Sequence, residues 1–116
     1  MHGKICYLEI PANAPADSAR FYGEIFGWKV RPRGDGALAF DDPSGVSGTW
    51  VAENDRTPDE TIRTYIMVDD IDATSRQIER AGGRITTKKT SIPGGGHFAA
   101  FVDPVGVEFG LYEERK

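Results

Sequence analysis

The chain has a single cysteine, only two histidines and no long hydrophobic run, and each shortage excludes something. Cys6 has no partner for an internal disulfide, and in its apolar surroundings packing is its expected role. His2 sits near a terminus and His97 follows three glycines; a two-histidine iron site would need both, so none is expected. No apolar stretch approaches the roughly 18 residues of a membrane helix, and no signal-peptide pattern is present. These features predict a cytoplasmic protein with no membrane partner. Positive charge is short as well: the net charge is −4 at pH 7 and no helix carries a basic stripe, which excludes nucleic acid as a partner. The pair Lys88-Lys89 reads as solvated strand edge.

What the chain has in quantity is punctuation and repetition. Fourteen glycines and seven prolines in 116 residues predict many turns and short strands rather than a helical bundle. Residues 39–46 read AFDDPSGV and residues 100–107 read AFVDPVGV, with six of eight positions identical at an offset of 61. Upstream, Tyr7-Leu8-Glu9-Ile10 answers to Tyr65-Ile66-Met67-Val68 at an offset of 58. The chain therefore reads as a duplication. A half of this size would have a thin core alone, so one domain is expected. Its boundaries fall at module 1 about 1–54, linker about 55–62 and module 2 about 63–116.

Each half follows the same order. Ile5 to Ile10 predicts a strand ending at Pro11. A helix begins at Pro15, with Asn13 or Ala14 near its cap, and carries Phe21, Tyr22, Ile25 and Phe26 before Gly27 closes it. Strands follow at Trp28–Pro32, Ala37–Asp41 and Gly48–Glu53, with turns at Arg33-Gly34-Asp35-Gly36 and Asp42-Pro43-Ser44-Gly45. In the second half a strand at Arg63–Val68 leads to a helix capped by Asp70 and ended by Gly82-Gly83. Strands at Arg84–Ile92, Phe98–Val102 and Val107–Tyr112 complete it, with Pro93-Gly94-Gly95-Gly96 as a flexible loop. Asp69, Asp70 and Asp72 read as negative charge at a helix N-terminus rather than a metal cluster. The fold class is α+β, two tandem βαβββ modules.

The segments FYGEIFGWKV (21–30), VDDIDAT (68–74), IPGGG (92–96) and FVDPVGVEFGLYE (101–113), in this order, resemble the vicinal-oxygen-chelate superfamily. That superfamily includes glyoxalase I, bleomycin-resistance proteins and extradiol dioxygenases. The resemblance implies one open, eight-stranded, barrel-like cup around a pocket, and a homodimer. In metal-dependent members the first and last strand of each module carry ligands. Carried over, those slots fall on Ile5, Thr49, Arg63 and Gly110, or with a two-residue shift on Tyr7, Val51, Tyr65 and Tyr112. Neither set holds a divalent cation, so no metal and no cofactor are expected.

What remains is a pocket for a small molecule. Strand alternation turns Tyr7, Glu9, Tyr65, Met67 and Tyr112 to the cup interior, where the rings either line a cavity or fill the barrel as core, while Trp50 either joins them or packs beneath a helix. Glu9 needs a partner inside a cup, and Arg63 is the natural candidate. His97, at the end of the glycine run, is placed over the pocket mouth as a lid tip. The leading function is small-molecule binding in a metal-free cup. The alternative is a lyase, isomerase or dioxygenase, metal-dependent or working by acid/base chemistry on Glu9 or His97. A third reading, an accessory domain, finds no linker in the tail Glu113-Glu114-Arg115-Lys116.

Overall fold

The computed structural model describes residues 2–33, 36–52 and 61–115. Its elements run β1 (Ile5–Pro11), α1 (Pro15–Phe26), β2 (Lys29–Pro32), β3 (Leu38–Asp41), β4 (Ser47–Val51), β5 (Arg63–Met67), α2 (Ile71–Arg80), β6 (Arg84–Ser91), β7 (His97–Val102) and β8 (Glu108–Glu113). This is βαβββ twice. The turn residues Gly34 and Asp35 and most of the expected linker lie outside the described residues. Two compact units emerge, Tyr7–Arg63 and Thr64–Lys116, the second taking in Met1–Cys6. Gly3 and Lys4 reach it through backbone hydrogen bonds with Met67. Each unit is a four-stranded mixed sheet, ordered β2-β3-β4-β1 in the first and β6-β7-β8-β5 in the second. In each, the first strand lies parallel to the last and the other pairs are antiparallel.

The repeated AFxDPxGV segment is turn chemistry. Asp42 Oδ1 accepts the backbone N–H groups of Ser44 (2.9 Å) and Val46 (2.8 Å). Asp103 Oδ1 does the same for Val105 and Val107, both at 3.0 Å. Proline presets the second turn position, and the glycine takes the left-handed backbone, φ 97° at Gly45 and 95° at Gly106. Asp, Pro and Gly thus each do a different job in closing β3 onto β4 and β7 onto β8.

The helices cover one face of each sheet. In the first unit Ala12, Ala19, Phe40 and Trp50 are buried, with Leu8, Ile10, Tyr22, Trp28 and Leu38 packed around them. The core is a stack of rings: Trp28 on Phe40 at 4.4 Å between centroids, and Tyr22 on Trp28 at 4.9 Å. The second core is mainly aliphatic, built on Val68, Ile71, Ala99 and Leu111 with Ile66 and Ile78 against them. Pro15 opens α1 without any side-chain cap from Ala14, and Gly27 ends it in the left-handed region. Asp70 caps α2 as the sequence predicts, accepting from Ala73 N–H at 3.1 Å. Asp72 meets Lys89 Nζ at 3.2 Å. No helix among the described residues is long and apolar enough to cross a membrane.

One alignment within the repeat changes. Ala12 N–H bonds to Val51 O and Val68 N–H to Tyr112 O. Glu9 is the register partner of Thr49, and Tyr65 of Gly110. Residues 49 and 51 answer to 110 and 112, the offset of 61, but 9 and 12 answer to 65 and 68, an offset of 56. The 58-residue match of the first strands is therefore displaced by two residues. Tyr7 corresponds to Arg63, and Glu9 to Tyr65.

On the outer strands Asp41 receives Arg31 Nε at 2.8 Å, Arg31 Nη2 at 3.2 Å and Ser47 Oγ at 2.6 Å. The Arg31 bonds first, then Ser47, hold the carboxyl down to about 2, against an ordinary 3.8. The folded state thus binds this proton less readily than the unfolded chain. The stabilisation is present above the ordinary value and is lost as pH falls toward about 2. Acid titration of stability by circular dichroism should show part of its slope in that window, and Asp41→Asn should flatten that part.

Candidate functional site

β1 alternates cleanly. Leu8 and Ile10 pack on the α1 core, so Tyr7 and Glu9 project from the opposite face of the strand. Arg33, in the segment after β2, donates from Nη1 to the Tyr7 hydroxyl at 3.2 Å. Burial pushes the Tyr7 phenol up; Arg33 opposes the shift and the Glu9 carboxylate adds to it. Beside these residues lies a cleft of about 740 Å³. Its lining includes Glu9, Arg33, Leu38, Thr49, Trp50 and Ala16. Thr49 is buried, and its hydroxyl donates to Leu38 O at 2.7 Å, leaving its lone pairs on the oxygen. A carboxylate, a guanidinium and a hydroxyl thus line a partly apolar cleft, a common composition for a ligand seat, and the Tyr7 phenol reaches it only through Arg33.

The second unit places different groups at the equivalent positions. Tyr65 stands where Glu9 stands, and its ring lies directly on Gly110, which occupies the position of Thr49; a Cβ there would overlap the ring. The duplicated frame therefore carries a ring laid on a glycine in one copy and polar groups beside a cleft in the other.

The remaining predicted residues fall as follows. Trp50, left between two faces by the sequence, belongs to the core beneath α1, with its ring 4.8 Å from Phe40 and 6.2 Å from Tyr22, while also bordering the cleft. Arg63 opens β5 at the position equivalent to Tyr7. Met67 and Tyr112 are register partners in the second unit, on the face of Tyr65. The glycine run before His97 closes as a turn rather than an open loop: Ile92 N–H bonds to Gly96 O and Gly95 N–H to Ile92 O, both at 2.9 Å. His97 begins β7 opposite Glu113, with Nδ1 3.6 Å from Glu113 Oε2. Arg33 escapes the sequence reading, because the turn composition Arg33-Gly34-Asp35-Gly36 gives no sign that its first side chain reaches back to β1. Thr49 appears there only as an empty ligand slot.

The donor set does not fit a metal ion. The corrected equivalence puts Tyr7, Thr49, Arg63 and Gly110 on the slots, without a histidine or carboxylate. Among the described residues no three His, Cys, Asp or Glu side chains gather as a metal site.

The family model for the Glyoxalase/Bleomycin resistance protein/Dioxygenase superfamily matches residues 4–111. The chain belongs to that superfamily. A glyoxylase-like domain-containing protein of Didymella fabae is 32% identical over 72% of this chain and 72% of its own length. The anthracycline biosynthesis protein DnrV of Streptomyces peucetius is 28% identical over 97% of this chain, which spans 47% of DnrV. Among solved structures, a glyoxalase/bleomycin resistance protein/dioxygenase superfamily member from Vibrio splendidus superposes with a TM-score of 0.65 at 14% identity, covering 97% of this chain and 99% of that one. At that identity the likeness establishes the fold alone. Within the superfamily fold, the α+β arrangement of paired βαβββ modules is the one predicted from the repeat.

Proposed function

We propose that this superfamily member is a cytoplasmic, metal-free small-molecule binding protein that seats its ligand in the first-module cleft, on Glu9, Arg33 and the Tyr7 phenol. The observation that carries this is the asymmetry between modules: Tyr65 covers Gly110, whereas Glu9 and Thr49 line a cleft of about 740 Å³. A guanidinium and a carboxylate lining one cleft suit a compact ligand that has both an acceptor and a donor, with flat apolar surface against Leu38 and Ala16. Metal analysis of the purified protein should find less than ~0.1 equivalent of zinc, nickel, manganese or iron. A native mass spectrum of protein recovered from cell extract should show a bound organic mass. Arg33→Gln and Glu9→Gln should each weaken retention of that mass by about tenfold or more, as expected for losing one charge-assisted hydrogen bond. Stoichiometric metal, or retention unchanged in both variants, would contradict the reading.

The second reading is an acid/base lyase or isomerase. Glu9 lines the cleft, where a carboxylate could exchange a proton with a bound ligand. Chemical change of the retained molecule on incubation, abolished in Glu9→Gln with binding preserved, would favour it.

A further inference from the structure

On the face of the first sheet opposite α1, one row of register partners runs Ala39, Thr49, Glu9. Register partners on neighbouring strands point to the same face and lie about 5 Å apart. The row that answers to it in the second unit is Ala100, Gly110, Tyr65. The alanine is common to both rows, and the other two members differ together. Where one row has a ring laid on a glycine, the other has a hydroxyl beside a carboxylate, and both of those residues border the cleft.

The hydrogen bonding of this pair restricts what it can hold. Thr49 Oγ1 uses its single proton on Leu38 O at 2.7 Å, so toward a ligand the hydroxyl only accepts. The Glu9 carboxylate likewise offers acceptor positions, about four of them, enough to serve a ligand beside its bonds within the protein. Two acceptors side by side call for one ligand atom that carries at least two protons. A ligand hydroxyl has one, and reaches Glu9 or Thr49 but not both. A primary ammonium has three, and its charge is opposite to that of the carboxylate. Thr49 is 2% exposed, so its oxygen admits only a small group. A fully methylated nitrogen is too bulky and has no proton to give.

We infer that the Glu9–Thr49 pair seats a primary ammonium, and that the ligand of the cleft is a primary amine carrying an acceptor such as a carboxylate at its other end. This rests on the cleft being the ligand seat proposed above, and it adds which end of the ligand goes where. The ammonium sits on β1 and β4. The acceptor faces Arg33, in the segment after β2, and the carbon skeleton between them lies against Leu38 and Ala16. Glu9 sets the charge requirement and Thr49 the proton count, so Thr49 separates an amine from an alcohol of the same shape.

Three probes test this, each a benzoate with one para substituent: aminomethyl, hydroxymethyl or trimethylammoniomethyl. Binding is followed at neutral pH through the backbone amide shifts of labelled protein. The aminomethyl probe should bind at least about tenfold tighter than the hydroxymethyl probe, and the trimethylammoniomethyl probe no tighter than the hydroxymethyl one. Thr49→Val keeps the shape and removes the hydroxyl, and should cut the amine-over-alcohol ratio about fivefold. Thr49→Ser should hold the ratio within about twofold, and Glu9→Gln should bring it near one. The wild-type and Glu9→Gln ratios decide the matter even where Thr49→Val fails to fold. Amine and alcohol probes of equal affinity, both shifting residues 7–9, 36–38 and 49–52, would overturn the ammonium seat and leave the cleft as the ligand site. A trimethylammoniomethyl probe as tight as the amine, or a ratio unchanged in Thr49→Val, would overturn it in the same way. No shift on those residues with any of the three probes would overturn both.

Discussion

Alanine at Gly96 should destabilise the protein by about 3 kcal/mol, while alanine at its two glycine neighbours should cost far less. A Cβ on Gly96 would overlap the Glu113 carbonyl oxygen and fall within 2.7 Å of Arg115 N. Those are backbone atoms of β8 and its continuation, so no side chain can swing away to make room. Gly94 is different. Its φ of 75° supplies the left-handed position of the Pro93-Gly94 turn, in open space, and alanine there should cost about 1 kcal/mol in backbone strain. At Gly95 a Cβ would meet the Ile92 side chain at 3.1 Å and the Ile92 carbonyl oxygen at an ordinary 3.8 Å, and alanine should cost less than about 1 kcal/mol. Thermal melts should therefore rank Gly96→Ala lowest, with Tm down by the order of 10 °C. Three equal effects would mean that the run is an open loop after all.

Glu113→Ala should cost about 2 kcal/mol, with Glu113→Gln losing roughly half as much. Glu113 is 8% exposed, and its Oε1 accepts the Ile71 N–H at 2.7 Å. That N–H is one of the donors that helix α2 leaves unsatisfied at its first turn. The carboxylate also lies against the positive end of the helix dipole, with Lys89 Nζ 3.8 Å and His97 Nδ1 3.6 Å from Oε2. Glutamine keeps an acceptor for Ile71 but removes the charge; alanine removes both. Urea melts of the two variants should separate the contributions, and equal loss in both would assign the whole effect to charge. The same side chain ties the end of β8 to the start of α2, so amide exchange in residues 71–74 should rise most in the alanine variant.

What the sequence made legible was local chemistry. The Asp-Pro-x-Gly turns, the Asp70 cap and the Gly27 stop each depend on residues within a few positions, and each forms as read. The order βαβββ followed from them. The match of β1 to β5 went astray by two residues for a definite reason. A strand alternates with period two, so a shift of two keeps every side chain on its face and preserves the pattern of rings and aliphatics. The hydrogen-bond partners of Ala12 and Val68, with the pairing of Glu9 to Thr49 and of Tyr65 to Gly110, settle the register. Trp50 stayed between core and pocket because an indole suits either, and the stack with Tyr22, Trp28 and Phe40 that decides it draws on three separate elements. Arg33 was invisible as a site residue because its reach to Tyr7 spans 26 positions from within a turn. The Tyr65–Gly110 contact, which distinguishes the modules, required two strands to be laid side by side.

The claim that the ligand seat is the Glu9–Arg33 cleft of the first module is tested most directly by nuclear magnetic resonance. Isotope-labelled protein would be titrated with low-molecular-weight aromatic acids and phenols, and backbone amide shifts followed. The expected result is a cluster of saturable shifts on residues 7–9, 36–38 and 49–52, absent in Arg33→Gln. Saturable shifts clustered instead on Tyr65, Met67 and Tyr112, and undiminished in Arg33→Gln, would contradict it.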